Sequence, residues 1–133
     1  MKLLTKELKK RFKEVGLQGD VDDPIVICKF FHPASSWTWF AYSAEYMTPE
    51  GKIKTLEPDD DDTQGDVTFF GWVYGDFSEL GYFSLREMEG VQVMGLGIER
   101  DLHWKETPLS EVQDEYTPVS RNQVIVREEE PLS

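Results

Sequence analysis

Apolar positions near the start of the chain recur at helical spacing. Within residues 5–15, Leu8, Phe12 and Val15 fall on one stripe, Thr5 stands where an N-cap belongs, and Gly16 stands where a helix ends. The other side of this predicted helix is rich in lysine, a solvated face available to pair with acidic residues elsewhere in the chain.

The period then changes from helical to strand-like. Ile25–Phe31 is a β-branched and aromatic run that His32-Pro33-Ala34-Ser35-Ser36 interrupts, and Trp37–Tyr46 is a second run placed to pair with the first as an antiparallel hairpin. A third, Val67–Tyr74, ends at Gly75-Asp76. In the second and third runs both alternating faces are apolar or aromatic, more than a half-exposed strand needs, so one face packs on helices and the other either packs as well or lines an aromatic recess.

Shorter signals follow. Leu80–Phe83 reads as a strand, and Ser84-Leu85-Arg86-Glu87 has the capping-box form that opens a short helix closed by Gly90. Gly95-Leu96-Gly97 reads as a turn before an extended Ile98–Trp104, and Thr107-Pro108 as the cap of a last short helix through Leu109 and Val112. Val124-Ile125-Val126 has the composition of an edge strand. The expected fold is α+β: a small, mostly antiparallel sheet of aromatic-rich strands with an N-terminal helix and one or two short helices. At 133 residues the chain fits one domain, drawn at residues 1–116 with an acidic loop at 47–66 and an acidic extension at 117–133.

Charge changes the picture more than length does. Residues 1–13 carry six Lys/Arg against Glu7, leaving eight cations and twenty-five carboxylates, a net −17, for residues 14–133. Such a field repels nucleic acid and anionic membranes and attracts cationic partners. Asp59-Asp60-Asp61-Asp62 is its densest run, expected to repel itself, bury nothing and form a mobile loop, with Glu128-Glu129-Glu130 as a second cluster. No stretch approaches the length of a membrane span, no signal peptide is evident, and Cys28 is the single cysteine; together these point to a reducing, cytoplasmic setting.

Reactive constellations are sparse. Asp60–Gly65 imitates half of a calcium loop, but Gly71 stands where the bidentate Glu belongs, so no metal site is assigned. Glu99, Asp101 and His103 alternate, and on an extended strand would share one face as polar groups. Cys28 sits inside an apolar run and reads as a core residue, Ser84 reads as a helix cap, and Gly95-x-Gly97 as a turn. No catalytic residue and no cofactor are assigned.

Four pieces of sequence resemble a bacterial family known as domain of unknown function 2958. They are Met1–Thr5; Asp23-Pro24-Ile25-Val26 with Lys29-Phe30-Phe31 and Trp37-Thr38-Trp39; Phe69-Phe70-Gly71 through Glu79–Leu85; and Ile98-Glu99-Arg100-Asp101. The resemblance implies an accessory role in bacteria and on their mobile elements, and it implies no activity and no catalytic residue. The chain departs from the family pattern in the acidic segment 47–66 and in the tail.

Two functions are therefore expected in order. The first is a non-catalytic acidic interaction protein that engages the cationic surface of a protein partner, as an inhibitor or nucleic-acid mimic acting on a nucleic-acid-handling or defence protein. The second is a binder of a nucleotide, sugar or cationic ligand, or an enzyme, with Trp37, Trp39, Trp72 and Tyr82 as recess walls and Glu99, Asp101 and His103 as polar groups.

Overall fold

The computed structural model describes residues 1–117, and its first regular element is helix α1, Lys6–Val15. The Thr5 hydroxyl accepts a hydrogen bond from the amide of Leu8, and Gly16, at φ +65°, closes the helix by donating to the Phe12 carbonyl. Phe12 is fully buried, with its ring 5.7 Å from Phe69, which carries the apolar stripe of the helix onto the sheet. Burial of a phenylalanine of this kind contributes about 1.5–3 kcal/mol.

The predicted strand 25–31 divides at Ile27. Strand β1 (Ile25–Val26) leaves the main sheet to pair with a distant segment, while β2 (Cys28–Phe31) pairs antiparallel with β3 (Thr38–Met47). The chain continues through β4 (Ile53–Thr55), β5 (Asp66–Tyr74), β6 (Ser78–Ser84), helix α2 (Leu85–Glu89), β7 (Glu99–Arg100), β8 (Thr107–Pro108) and helix α3 (Leu109–Glu115). The sheet runs β6-β5-β3-β2-β7 with β4 also on β3, and β1 with β8 makes a separate pair; every pairing is antiparallel. The protein is α+β.

Cross-strand partners share a face, which sorts the side chains into two layers. Phe30, Trp39 and Val73 lie on one face, as do Ala44, Phe69 and Phe83; with Phe12, Leu85 and Met88 from the helices they form the main core. Phe40 and Trp72 lie on the other, under Val26, Leu109 and Val112, with Tyr74, Trp104 and Tyr116 around them. The second apolar face foreseen in β3 and β5 thus packs under α3, and the Trp72 indole N–H donates to the carbonyl of Tyr116 at 2.8 Å. A β-bulge interrupts the β3–β5 register between Ala41 and Ser43, leaving Tyr42 as the extra residue.

Three local expectations are corrected. The acidic segment 47–66 does not bury nothing: Leu56 and Asp66 are buried, and the aspartate run is tied down by the residues around it. Lys9 donates to Asp62 and to the Asp60 carbonyl, Lys54 to Asp60, and the Tyr46 hydroxyl to the Asp61 carbonyl. Opposite charge drawn from α1 and β4 has overcome the mutual repulsion of the aspartates. The extended stretch foreseen over 98–104 is only two residues long, because the Asp101 carboxylate accepts the His103 amide and its carbonyl accepts the Trp104 amide, turning the chain. Helix α3 is not capped by Thr107; the Asp23 carboxylate, 87 residues earlier, accepts the backbone and hydroxyl protons of Ser110. The strand foreseen at Val124–Val126 and the cluster Glu128–Glu130 lie outside the described residues.

Candidate functional site

The anionic surface is arranged differently from the sequence order of its charges. Ion pairs join Lys6 to Asp59 at 2.9 Å, Lys9 to Asp62 at 2.7 Å, Lys54 to Asp60 at 2.6 Å and Lys13 to Glu57, so the densest acidic run is largely matched by cations. Asp61 is the exception; its carboxylate accepts the Thr63 hydroxyl and amide, which holds its pKa below the usual range. Arg11 reaches across to Glu106 and lowers that carboxyl in the same way.

A different face carries carboxylates without counter-charge. Asp20, Asp22, Glu111, Asp114 and Glu115 are all exposed, and among the described residues none has a cation within 4.0 Å. The bond from Asp23 to Ser110 brings the 20–23 turn against the start of α3, which joins the two groups. Asp114 and Glu115 stand in the last turn of α3, where the helix dipole is negative and the helix itself carries no basic residue.

The seven residues foreseen as one recess do not converge. Trp39 pairs with Val73 and packs in the main core, whereas Trp72 pairs with Phe40 on the opposite face; strand alternation separates the two indoles by the thickness of the sheet. Trp37 stacks on Trp39 with ring centroids 5.9 Å apart. Tyr82 is exposed on the Trp72 side, edge-on to Phe70, and His103 lies in the exposed turn after Asp101. Asp101 pairs with Lys29 at 3.7 Å, and Glu99 pairs in β7 with Phe31. Among the described residues no three His, Cys, Asp or Glu side chains come together as a metal site.

The remaining reactive side chains are held in structural bonds. His32 is buried, its Nδ1 accepting the Ala34 amide at 3.1 Å, which leaves the ring proton on Nε2 to donate to the Leu96 carbonyl at 3.1 Å. Cys28 is buried, and desolvation pushes its thiol pKa far up.

A smaller recess keeps two of those seven residues, Trp37 and Trp39. It is an open cavity of about 260 Å³ lined by His32, Ser35, Trp37, Trp39, Val91 and Val93. Its floor is the Trp37–Trp39 stack, and Gly75 lies so close beneath the Trp37 ring that any side chain there would displace it. Its rim is a tight turn in which Val93 and Leu96 exchange both backbone hydrogen bonds across Met94-Gly95. Both central residues have positive φ, +56° at Met94 and +75° at Gly95, the type I′ arrangement. The His32–Leu96 bond fastens this turn to the sheet.

Against this geometry, the family comparison is specific about extent: a model described as "Protein of unknown function (DUF2958)" matches residues 3–121. The chain belongs to the DUF2958 family. No curated protein and no solved structure matches it. The DUF2958 match contains the recess, the Met94 turn, the acidic segment 47–66 and all of α3, whereas Glu128–Glu130 fall beyond it.

Proposed function

We propose that this DUF2958 protein is a non-catalytic interaction protein whose anionic face engages the cationic surface of a protein partner. The partner class that fits is a nucleic-acid-handling or defence enzyme of bacteria, whose basic groove the carboxylates occupy in place of phosphates. A protein carried by bacteria or their mobile elements would act so in the cytoplasm, where a buried single thiol stays reduced.

The observation that carries the reading is the distribution of counter-charge. Residues 1–117 hold twelve Lys/Arg against twenty-three Asp/Glu, and four of the five cations of α1 are used on the acidic segment 57–62 and on Glu106. Among the carboxylates outside ion pairs, Asp20, Asp22, Glu111, Asp114 and Glu115 are grouped on α3 and the turn before β1, while others, Asp76 and Glu79 among them, stand elsewhere on the surface. Two of the grouped carboxylates, Asp114 and Glu115, oppose the helix dipole, so local helix stability does not account for them.

Affinity capture from a bacterial lysate at low and at high salt tests this reading. A basic partner should be retained at low ionic strength, lost steeply as salt rises, and weakened by the triple change Glu111→Gln, Asp114→Asn, Glu115→Gln. A partner whose binding ignores both salt and the triple change, or no partner at all, would remove it.

A further inference from the structure

The Trp37–Trp39 recess has three properties that ordinary surface packing does not explain. Its lining is almost wholly apolar and yet open, with Trp37 37% and Val93 49% exposed. The turn on its rim places Met94, 85% exposed, in a left-handed conformation that Asn or Gly adopts with less strain. Leu96, in the rim turn, is 43% exposed, and Phe77, two residues beyond the Gly75 that supports Trp37, is 81% exposed. A left-handed methionine at the tip of a tethered turn, next in sequence to the Val93 that lines the recess, keeps a soft, adaptable side chain in solvent, the kind of surface that accommodates an inserted apolar group.

The charge around the recess selects among occupants. Asp76 directly follows Gly75, and Glu79 pairs with Val73, itself the partner of Trp39, so Glu79 projects on the same face as the recess. Both are exposed, and among the described residues neither has a cationic partner. We infer that the Trp37–Trp39 recess, with Met94 on its rim, receives a large apolar side chain from a basic segment of a protein partner, the flanking lysines or arginines lying against Asp76 and Glu79. The inference rests on the anionic-interaction reading for the charge of the partner, and it adds an apolar contact on the sheet face opposite the one that packs under α3.

The test uses the full chain, isotopically labelled for NMR, and three synthetic peptides: Lys-Lys-Phe-Lys-Lys, Lys-Lys-Ala-Lys-Lys and Ser-Ser-Phe-Ser-Ser, all blocked at both ends. The phenylalanine peptide with lysines should shift the Trp37 and Trp39 indole signals and the Val91, Val93 and Met94 amides. The alanine peptide should bind about ten-fold or more weakly, as loss of one buried phenyl implies. Exposed-site variants Val93→Asp and Met94→Asn, neither of which touches the core, should each weaken the phenylalanine peptide without altering the rest of the spectrum.

Shifts confined to α3, or equal affinity for the phenylalanine and alanine peptides, would overturn the apolar contact while leaving the anionic reading in place. Equal affinity for the lysine and serine peptides at the recess would overturn the basic partner. Concentration-dependent shifts without peptide, abolished by Val93→Asp, would assign the recess to a second copy of the chain. Signals that change on removal of residues 118–133 would assign it to that segment. Either of the last two results would overturn the inference.

Discussion

The ammonium of Lys9 lies 2.7 Å from the Asp62 carboxylate and 2.8 Å from the Asp60 carbonyl, in a place where the lysine side chain keeps 6% of its surface and the aspartate 12%. An ion pair this sheltered behaves differently from the surrounding surface pairs, because removing one partner leaves the other charge poorly hydrated. Lys9→Met should cost about 3 kcal/mol or more in urea unfolding, and the double change Lys9→Met, Asp62→Leu should recover much of it. A loss under about 1 kcal/mol would place the pair with ordinary surface bridges.

Acid titration should separate two carboxylates whose pKa values shift in opposite directions. Partial loss of hydration at an otherwise exposed position, with Asp62 and Asp66 nearby, raises the pKa of Glu89 in the folded protein. The native state therefore holds this proton more tightly than the unfolded one, and stability from Glu89 declines as pH rises through the raised value. Glu89→Gln should raise Tm at pH 7, and the difference should vanish near pH 3, where both states are protonated.

Asp23 runs the other way. The Ser110 hydroxyl and amide lower its pKa, so its contribution is present above the unfolded value and is lost as pH falls through the lowered one. Asp23→Asn should lower Tm at neutral pH and leave it unchanged in strong acid. A uniform effect across pH would assign the loss to the capping geometry alone.

Gly71 and Gly81 are cross-strand partners with different tolerance. A Cβ on Gly71 would overlap the backbone carbonyl of Phe40, which has nowhere to move, whereas Gly81 opens on free space. Gly71→Ala should cost about 3 kcal/mol or more through overpacking. Gly81→Ala should stay within about 0.5 kcal/mol. Thermal or denaturant unfolding of the two variants decides it, and equal losses would contradict the geometry.

Iodoacetamide should label Cys28 only as the protein opens. Burial withholds the thiolate, so the native rate should track the opening equilibrium and rise with denaturant. Rapid native labelling would show an access path to β2.

Features set by neighbouring residues were legible in the sequence. Thr5 and Gly16 bound α1, Ser84 caps α2 by accepting the Glu87 amide, and the aromatic runs become β2, β3 and β5, because caps and alternation act over a few residues. What could not be read depended on partners far along the chain. Lys9 meets Asp62 across 53 positions, and Asp23 replaces Thr107 as the cap of α3 across 87. Trp39 and Trp72 looked like walls of one recess because alternation within a strand is visible, while the register that places Trp39 opposite Val73 is not. The recess that does form joins His32 to Leu96, 64 residues apart; its local signals were Trp37 and Trp39, whereas the turn expected at Gly95-Leu96-Gly97 forms one residue earlier, across Met94-Gly95.

The bulge at Tyr42 means that β3 is one residue longer than its pairing with β5 consumes. Had every position been matched in turn, Ala44 and Tyr46 would look outward and Ser43 and Glu45 would enter the core; the slack absorbed at one point spares the strand that inversion. Tyr42 is thus a spare link, and the strand should keep its inside and outside when that link alone is deleted.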